Sequence, residues 1–462
     1  MPTRIEKDFL GQKEIPMDAY WGIHTQRAID NFRITGTPVE FDLIKSLAMV
    51  KKACCLANQE LGLLAEEKAQ AIQSACEEII LGKYQDQFPV DALQGGAGTS
   101  TNMNVNEVIA NRAIELMGGT KGDYAIVHPV EEVNLHQSTN DTYPTALKVA
   151  AIFKFRELSQ KIAELQGVFQ KKEKEFAAIV KIGRTELQEA VPITLGAEFG
   201  AFAEAIARDR WRTFKSEERL RVINLGGTAV GTGLTAPRSY IFLVTEKLRD
   251  ITGLGLTRGE NVLDQTANAD CFVEVSGMLK AHASNLIKIA DDLRLMNLLG
   301  EIELPKVQPG SSIMPQKVNP VILEAAIQTG LKVIGNDLMI TEAASRSSFQ
   351  INEFMPVIAH ALLNSLKILV NINGILTSHI ELITAKKENN LRYVDTSPMI
   401  ITAFLPHIGY EKATALLQEF NKTGSNNLRD YLTEKLGKEL VDRVLSPENL
   451  VSLGYRDHEN NA

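Results

Sequence analysis

Aromatic residues are scarce in this chain, at 6% of 462 positions with only two tryptophans. β-Sandwich and barrel cores lean on aromatic and β-branched side chains, so this shortage favours helices packed through Leu, Ile and Ala. Cysteine is scarcer still. The four thiols, Cys54, Cys55, Cys76 and Cys271, form no CxxC pair and have no histidine at zinc-ligand spacing, so they read as reduced thiols buried on helices. The eight histidines are scattered, without an HExxH pair or a carboxylate-rich loop, and the sequence implies no metal centre. Positive charge is also in deficit. With 49 Lys and Arg against 57 Asp and Glu, the net charge is −8, whereas a nucleic-acid or anionic-membrane surface needs clustered cations. The N-terminal ten residues lack a signal-type apolar core, and no apolar stretch is read as reaching the length of a membrane span. A soluble, cytoplasmic protein is expected.

The chain is long for one ordinary compact domain, yet it shows no linker, internal repeat or low-complexity segment. Apolar residues recur at three- and four-residue spacing, and period-2 alternation is nearly absent, so helix is the expected state. Five segments predict long helices, at about 142–180, 190–222, 265–298, 319–345 and 350–376, each beyond the ~11-residue mean. Long neighbours of matched length pack as a bundle. Shorter helices are expected at 43–62, 66–82 and 103–117 and again after about 390. The resulting partition is an N-terminal domain (1–140), a central helix-bundle domain (141–389) and a small helical C-terminal domain (390–462). The tail at 456–462 is expected to fray.

Three polar clusters each precede a long predicted helix, with a proline where its first turn would begin. They are Ser138-Thr139-Asn140-Asp141 before Pro144, Gly183-Arg184-Thr185-Glu186 before Pro192, and Ser311-Ser312 through Lys317 and Asn319 before Pro320. Unpaired backbone N–H groups and the positive end of the helix dipole make such starts anion sites. A fourth cluster, Gly95-Gly96-Ala97-Gly98-Thr99-Ser100, precedes a helix predicted near Asn102, and its glycines permit close backbone approach. Any one cluster alone reads more readily as ordinary capping. The combination points to a carboxylate-binding site.

The stretch from Gly310 to Pro320, GSSIMPQKVNP, followed by Glu324, closely resembles the GSSxMPxKxN signature of the aspartase/fumarase superfamily. Ser138-Thr139-Asn140-Asp141 and Gly183-Arg184-Thr185 look like that superfamily's other two blocks, in the same order. Fumarases read TGSGTQ and SSND where this chain has GGAGTS (95–100) and STND (138–141), so the local match is to the aspartase branch; DQFPVD (86–91) fits the same branch. The resemblance implies an all-α, three-domain fold with a central bundle of five long helices. It further implies a homotetramer with a twenty-helix core and active sites shared among three subunits.

What the resemblance implies chemically is reversible deamination of L-aspartate to fumarate, without a cofactor. Ser311 would be the base, acting as an oxyanion in a loop for which Gly310 supplies a hinge. Thr99, Ser138, Thr139 and Ser312 would hold the carboxylate that becomes an aci-carboxylate, with Ser100 beside them, while Lys317 and Asn319 would hold the other carboxylate. Asn140, Thr185 and Glu186 would meet the leaving ammonium, and Glu324 would support the site. Glu186 stands where fumarases and some aspartases carry His and other aspartases carry Gln; a carboxylate there attracts an ammonium more than a neutral hydroxyl. Three departures from the family stand out. The SGPRAG-like stretch expected between Leu295 and Pro305 is shortened and lacks its Arg, His128 to Asn134 differs from HPNDHVN, and Ala197 replaces a common Gln. Fumarate hydration, or a lyase reaction on an N-substituted aspartate, remain open alternatives.

Overall fold

The computed structural model describes residues 2–455; the 456–462 tail lies outside them. Among the described residues there are seventeen α-helices and four two-stranded sheets. Five helices are long: Thr139–Glu175, Leu195–Leu220, Asp270–Leu298, Val321–Ala344 and Met355–Glu381. They are called the first to fifth long helices below, and they correspond one to one with the five predicted segments. The shorter helices Phe41–Glu60, Glu66–Ile80 and Thr99–Leu116 likewise match their predictions, although the last begins four residues earlier than expected. The described chain is mostly helical, as an all-α fold requires.

Three sequence-based expectations need correction. Gly183-Arg184-Thr185-Glu186 does not precede a helix. It lies in an antiparallel hairpin, Val180–Thr185 paired with Gln188–Thr194, so the first long helix stops at Glu175 and the second starts at Leu195. Pro192 is a strand residue opposite Ile182, where the register shifts between Ile182 and Arg184, and a residue without an N–H is tolerated at such an irregularity. Pro144, expected at a first turn, is the sixth residue of its helix. A proline there leaves the carbonyl four residues back without its donor, and Asn224 supplies one, its Nδ2 bonding the Asn140 carbonyl at 2.9 Å. Met355–Glu381 is also long and apolar enough to cross a membrane, at 27 residues and mean hydropathy 1.4 over its most apolar window. That window is 67% buried within the protein, as suits a core helix.

The described chain divides into two compact units. One comprises the chain to Ser159, Arg212–Ala281 and Leu331–Leu369; the other comprises Gln160–Trp211, His282–Gly330 and the chain from Val370. Every boundary falls inside a long helix. In the first unit, Leu47, Val50, Val105, Ile109 and Leu147 are fully buried. Polar bonds there also join long helices, as where Ser276 Oγ meets Asp337 Oδ1 at 2.9 Å and Asn336 Nδ2 meets Ser365 Oγ at 2.9 Å. Cys54, Cys55 and Cys76 are buried on helices in this unit, and burial pushes the Cys54 and Cys55 thiols up to about 12, so they stay protonated and unreactive.

In the second unit, Phe169, Phe199 and Phe202 interlock the first and second long helices at ring distances of 5.8–6.2 Å. His282, Asp209 and Asn373, all buried, cross-link the second, third and fifth at 3.0 and 2.9 Å. A C-terminal core gathers Ile182 with Val394, Ile400, Phe404, Leu428 and Val441. The hairpin is anchored by charge. Glu301, wholly buried, pairs with Arg184 and, at 2.7 Å, with Lys181, which also pairs with Glu198.

Removing one member of a buried ion pair leaves uncompensated charge, a loss of roughly 3 kcal/mol or more. Glu301→Gln leaves Arg184 without its carboxylate and Lys181 with Glu198 alone, so urea denaturation should show destabilisation of about that size. Unfolding indistinguishable from the unmodified protein would mean that the pairing does not anchor the hairpin.

Candidate active site

Two helix starts in the first unit carry the first group of candidate residues. Ser138 caps the first long helix. Its Oγ accepts from Asn140 N at 3.2 Å, and Asp141 reaches back to accept from Ser138 N at 3.0 Å, which is the reciprocal capping box. The Thr99 helix start lies against this one. A Cβ on Gly98 would come within 2.4 Å of the Tyr143 ring, so only glycine permits the approach, and Thr142 Oγ1 bonds Asn102 Oδ1 at 3.3 Å. The two helix starts, one carrying Thr99 and Ser100 and the other Ser138, Thr139 and Asn140, thereby adjoin at Gly98 and Tyr143. Thr99 is exposed and its hydroxyl donates to the Gly96 carbonyl at 2.8 Å; Ser100, Ser138 and Asn140 are half-buried and Thr139 is buried.

Beneath these starts is a support that motif reading missed. Lys51 is fully buried, and its Nζ donates to Asn134 Oδ1 and Gln137 Oε1, both at 2.8 Å. Burial pulls its ammonium down to about 8. Asn134 Oδ1 also accepts from Asn102 and Asn106 at 3.2 and 3.1 Å, so one side chain ties the 128–138 segment to the Thr99 helix. Asp141 is fully buried as well; its Oδ2 accepts from Gly226 N and Thr228 N at 3.1 and 3.0 Å. The signal in the sequence was one of three lysines in the helix Phe41–Glu60, which alone is indistinguishable from a surface charge.

The other candidates lie in the second unit. Thr185 and Glu186 are exposed at the hairpin, whose two-residue turn Glu186-Leu187 has φ of 52° and 61°. Positive φ at both central positions is a type I′ turn, normally held by Asn and Gly. Ser311, Ser312 and Lys317 line a separate open cavity of about 610 Å³ bounded also by Lys306 and Met314, and Asn319 lies just beyond the lining, at the end of the same loop. No hydrogen bond or ion pair joins Thr185 or Glu186 to that loop among the described residues.

Ser311 is built like a helix cap without a helix. Its Oγ accepts from Ile313 N at 3.2 Å and Met314 N at 2.8 Å, and Pro315 then stops the turn from extending. Two donors aimed at a hydroxyl oxygen stabilise its alkoxide more than its neutral form. The loop neck is closed by Gly310 N to the Lys317 carbonyl at 2.7 Å and Asn319 Nδ2 to the Gly310 carbonyl at 2.9 Å. A Cβ on Gly310 would meet Asn319 N at 2.8 Å, so Gly310, expected as a hinge, is found clamped on both sides. Asn319 accordingly has one amide donor engaged in the neck. Glu324 is half-buried in the first turn of the fourth long helix.

Comparison with known proteins supplies the context for this geometry. A family model described as Lyase matches residues 11–335. An aspartate ammonia-lyase from Bacillus sp is 48% identical over 460 residues, 98% of each chain. One from Helicobacter pylori strain 26695 is 47% identical over 462 residues, covering 97% of this chain and 98% of that one. Among solved structures, fumarate lyase:delta crystallin from Brucella melitensis bound to cobalt superposes with a TM-score of 0.94 at 42% identity, covering 98% of this chain and 100% of that one.

Burial is the dominant influence on Asp141 and pushes its carboxyl up to about 6, against three N–H donors and nearby Lys51. The folded value lies above the ordinary 3.8, so the associated stabilisation is complete below about pH 4 and is lost as pH rises through about 6. Asp141→Asn abolishes this titration. The stability of the unmodified protein relative to the variant should therefore fall by about 3 kcal/mol across that window, read by urea unfolding at a series of pH values. A difference that stays constant with pH contradicts the assignment.

Proposed function

The chain belongs to the lyase family, within the aspartase/fumarase superfamily, and from that premise we propose that it removes ammonia reversibly from L-aspartate to give fumarate. It is a carbon–nitrogen lyase. The hard step is taking a proton from the carbon beside a carboxylate, because the dianionic aci-carboxylate is unstable in water. Ser311 takes that proton as an alkoxide; the electron pair enters the carboxylate, then returns to form the double bond as the neighbouring C–N bond breaks and ammonia leaves. The observation that carries this reading is the pair of N–H groups, from Ile313 and Met314, converging on Ser311 Oγ.

In this reading Thr99, Ser138, Thr139 and Ser312 hold the reacting carboxylate, with Ser100 alongside. Lys317 holds the other carboxylate by charge, helped by the remaining N–H of Asn319, and Glu324 supports the loop. The ammonium is met by Asn140, Thr185 and Glu186. We propose a homotetramer in which each active site is shared among three subunits. The large apolar side chains left exposed on the long helices support assembly, among them Trp211, Phe214, Leu298, Leu331 and Leu338. The three-domain partition at 140/141 and 389/390 and a cytoplasmic location belong to the same proposal.

Hydration of fumarate is the alternative that the shared fold leaves in place, and a lyase reaction on an N-substituted aspartate is the one raised by the shortened 296–304 segment. Incubation with L-aspartate should produce fumarate absorbance, whereas L-malate should not. Ser311→Ala should lower turnover by a factor of about 10³ or more while leaving the oligomer intact by size-exclusion chromatography. Substantial residual turnover would remove Ser311 from the role of base; turnover of malate in place of aspartate would replace the reaction itself.

Glu186→Gln should raise the KM for L-aspartate by about fivefold with little effect on kcat, as expected when a uniform ionic contact with the ammonium is lost. An unchanged KM would turn Glu186 away from the substrate.

A further inference from the structure

The loop that carries Ser311 has a second cation to which the proposed chemistry gives no role. Lys306 and Lys317 both line the open cavity of about 610 Å³, and no Asp or Glu does. Two positive charges without an acid make a local excess in a chain whose net charge is −8. Lys306 is also the only cation between Arg294 and Ser311. It follows Pro305 at the end of the shortened segment that lacks the superfamily's Arg.

The backbone is tied down on both sides of the loop. Before Lys306, the strand Ile302–Glu303 pairs with Thr384–Ala385, and Leu304 N donates to Asn297 Oδ1 at 3.2 Å. Leu304 is buried, and Pro305 has a locked φ. On the far side, Gly310 N holds the Lys317 carbonyl at 2.7 Å. The two lysines therefore stand on opposite stems of one loop, with Ser311 between them in the chain. Lys306 is exposed, and among the described residues no ion pair or hydrogen bond engages its ammonium. Glu303, the carboxylate nearest to it in the chain, pairs instead with Lys386 at 3.6 Å. An exposed lysine is ordinarily a solvated charge of little consequence. Lys306 differs in combining an anchored stem with an unpaired ammonium at an acid-free cavity shared with the proposed base.

We propose that Lys306 is a specificity residue: with Lys317 it makes the Ser311 cavity a two-cation receptor that favours dicarboxylates over acids with a single carboxylate. This rests on the reading of the Ser311 loop as the one that meets the substrate. Each ammonium attracts each carboxylate, so a second cation adds more to the binding of a dicarboxylate than to that of its singly charged analogue. The attraction acts on bound substrate and transition state alike, so Lys306 serves KM and not kcat. At an open cavity it passes through water, so salt weakens it.

The probes are succinate, a dicarboxylate with nothing to eliminate, and succinamate, its singly charged amide, titrated calorimetrically into the purified oligomer. The variants are Lys306→Gln, Lys306→Glu and, as a control, Lys412→Glu, an equal charge change at an exposed position of the helix Tyr410–Thr423. At about 0.02 M salt, succinate should bind about threefold more weakly in Lys306→Gln and about tenfold more weakly in Lys306→Glu, with a smaller loss for succinamate. Both losses should shrink at about 0.3 M salt. The KM for L-aspartate should rise in Lys306→Glu while kcat stays within about twofold, and Lys412→Glu should change none of these. Succinate binding within about twofold of the unmodified protein in Lys306→Glu, a loss as large for succinamate or in the control, or an effect confined to kcat would overturn the proposal. If the unmodified enzyme turns over aspartate and only these differences fail to appear, the role of Lys306 alone falls. If it does not turn over aspartate, the ammonia-lyase reading falls, and succinate binding still decides whether Lys306 recognises a dicarboxylate.

Discussion

A helix leaves its first N–H groups without partners, and a folded chain must find acceptors for them. That constraint organises this protein. At the first long helix the answer is Ser138 and Asp141, and Asp141 goes further, accepting from Gly226 and Thr228 with its second oxygen. At the Ile23–Asn31 helix it is the buried Glu107, which accepts from Gly22, His24 and Thr25 at 2.8–3.1 Å. At Ser311 the same geometry appears without a helix, since Pro315 ends the turn and the hydroxyl keeps two donors to itself. Elsewhere the cap oxygen consumes spare donors for stability; here those donors stabilise charge on the cap, turning a structural habit into a chemical one.

The parts legible in the sequence were those governed by local periodicity and capping. Apolar spacing located all five long helices, and Ser138, Thr99 and Ser311 were found because caps and loops have residue signatures. The hairpin at 180–194 was missed because its period-2 alternation is broken by the register shift after Ile182 and because Pro192 imitates a helix start. The long-range partners were illegible for a different reason. Glu301 lies 117 positions from Arg184, and Asn224 lies 84 from the carbonyl it rescues below Pro144. No local pattern announces such a pairing; only the fold brings the groups to one place.

Four of the residues assigned to substrate are far more open than the residues that hold the site in place, although Thr139 is buried. Ser312, Lys317, Thr185 and Glu186 are exposed, whereas Asp141, Lys51 and Glu301 are completely enclosed. Enclosed charges with full sets of partners make rigid platforms, because any displacement strands a charge in low dielectric. Thr185 inherits that rigidity from Arg184 beside it, and Asn140 from Asp141. Exposure, however, leaves water at the reacting atoms, and an alkoxide surrounded by water is no stronger a base than any serine. The proposed assembly answers this difficulty: closing several such platforms around one small dianion removes the solvent that each leaves in place alone.

The same arrangement decides what can leave. Deamination releases a neutral amine from a cationic substituent, so no proton need be delivered and the surroundings should be rich in acceptors. Dehydration releases a hydroxyl that must be protonated as it goes, so the surroundings should contain a donor. In the proposed reading Glu186 stands where the amine departs, and a carboxylate attracts an ammonium more than a neutral hydroxyl. The residues proposed to hold the carboxylates, Ser312, Thr99 and Lys317, are donors, as suits groups that would face developing negative charge. The motif that marks the family does not by itself specify that polarity; it is Glu186 that argues for an amino acid.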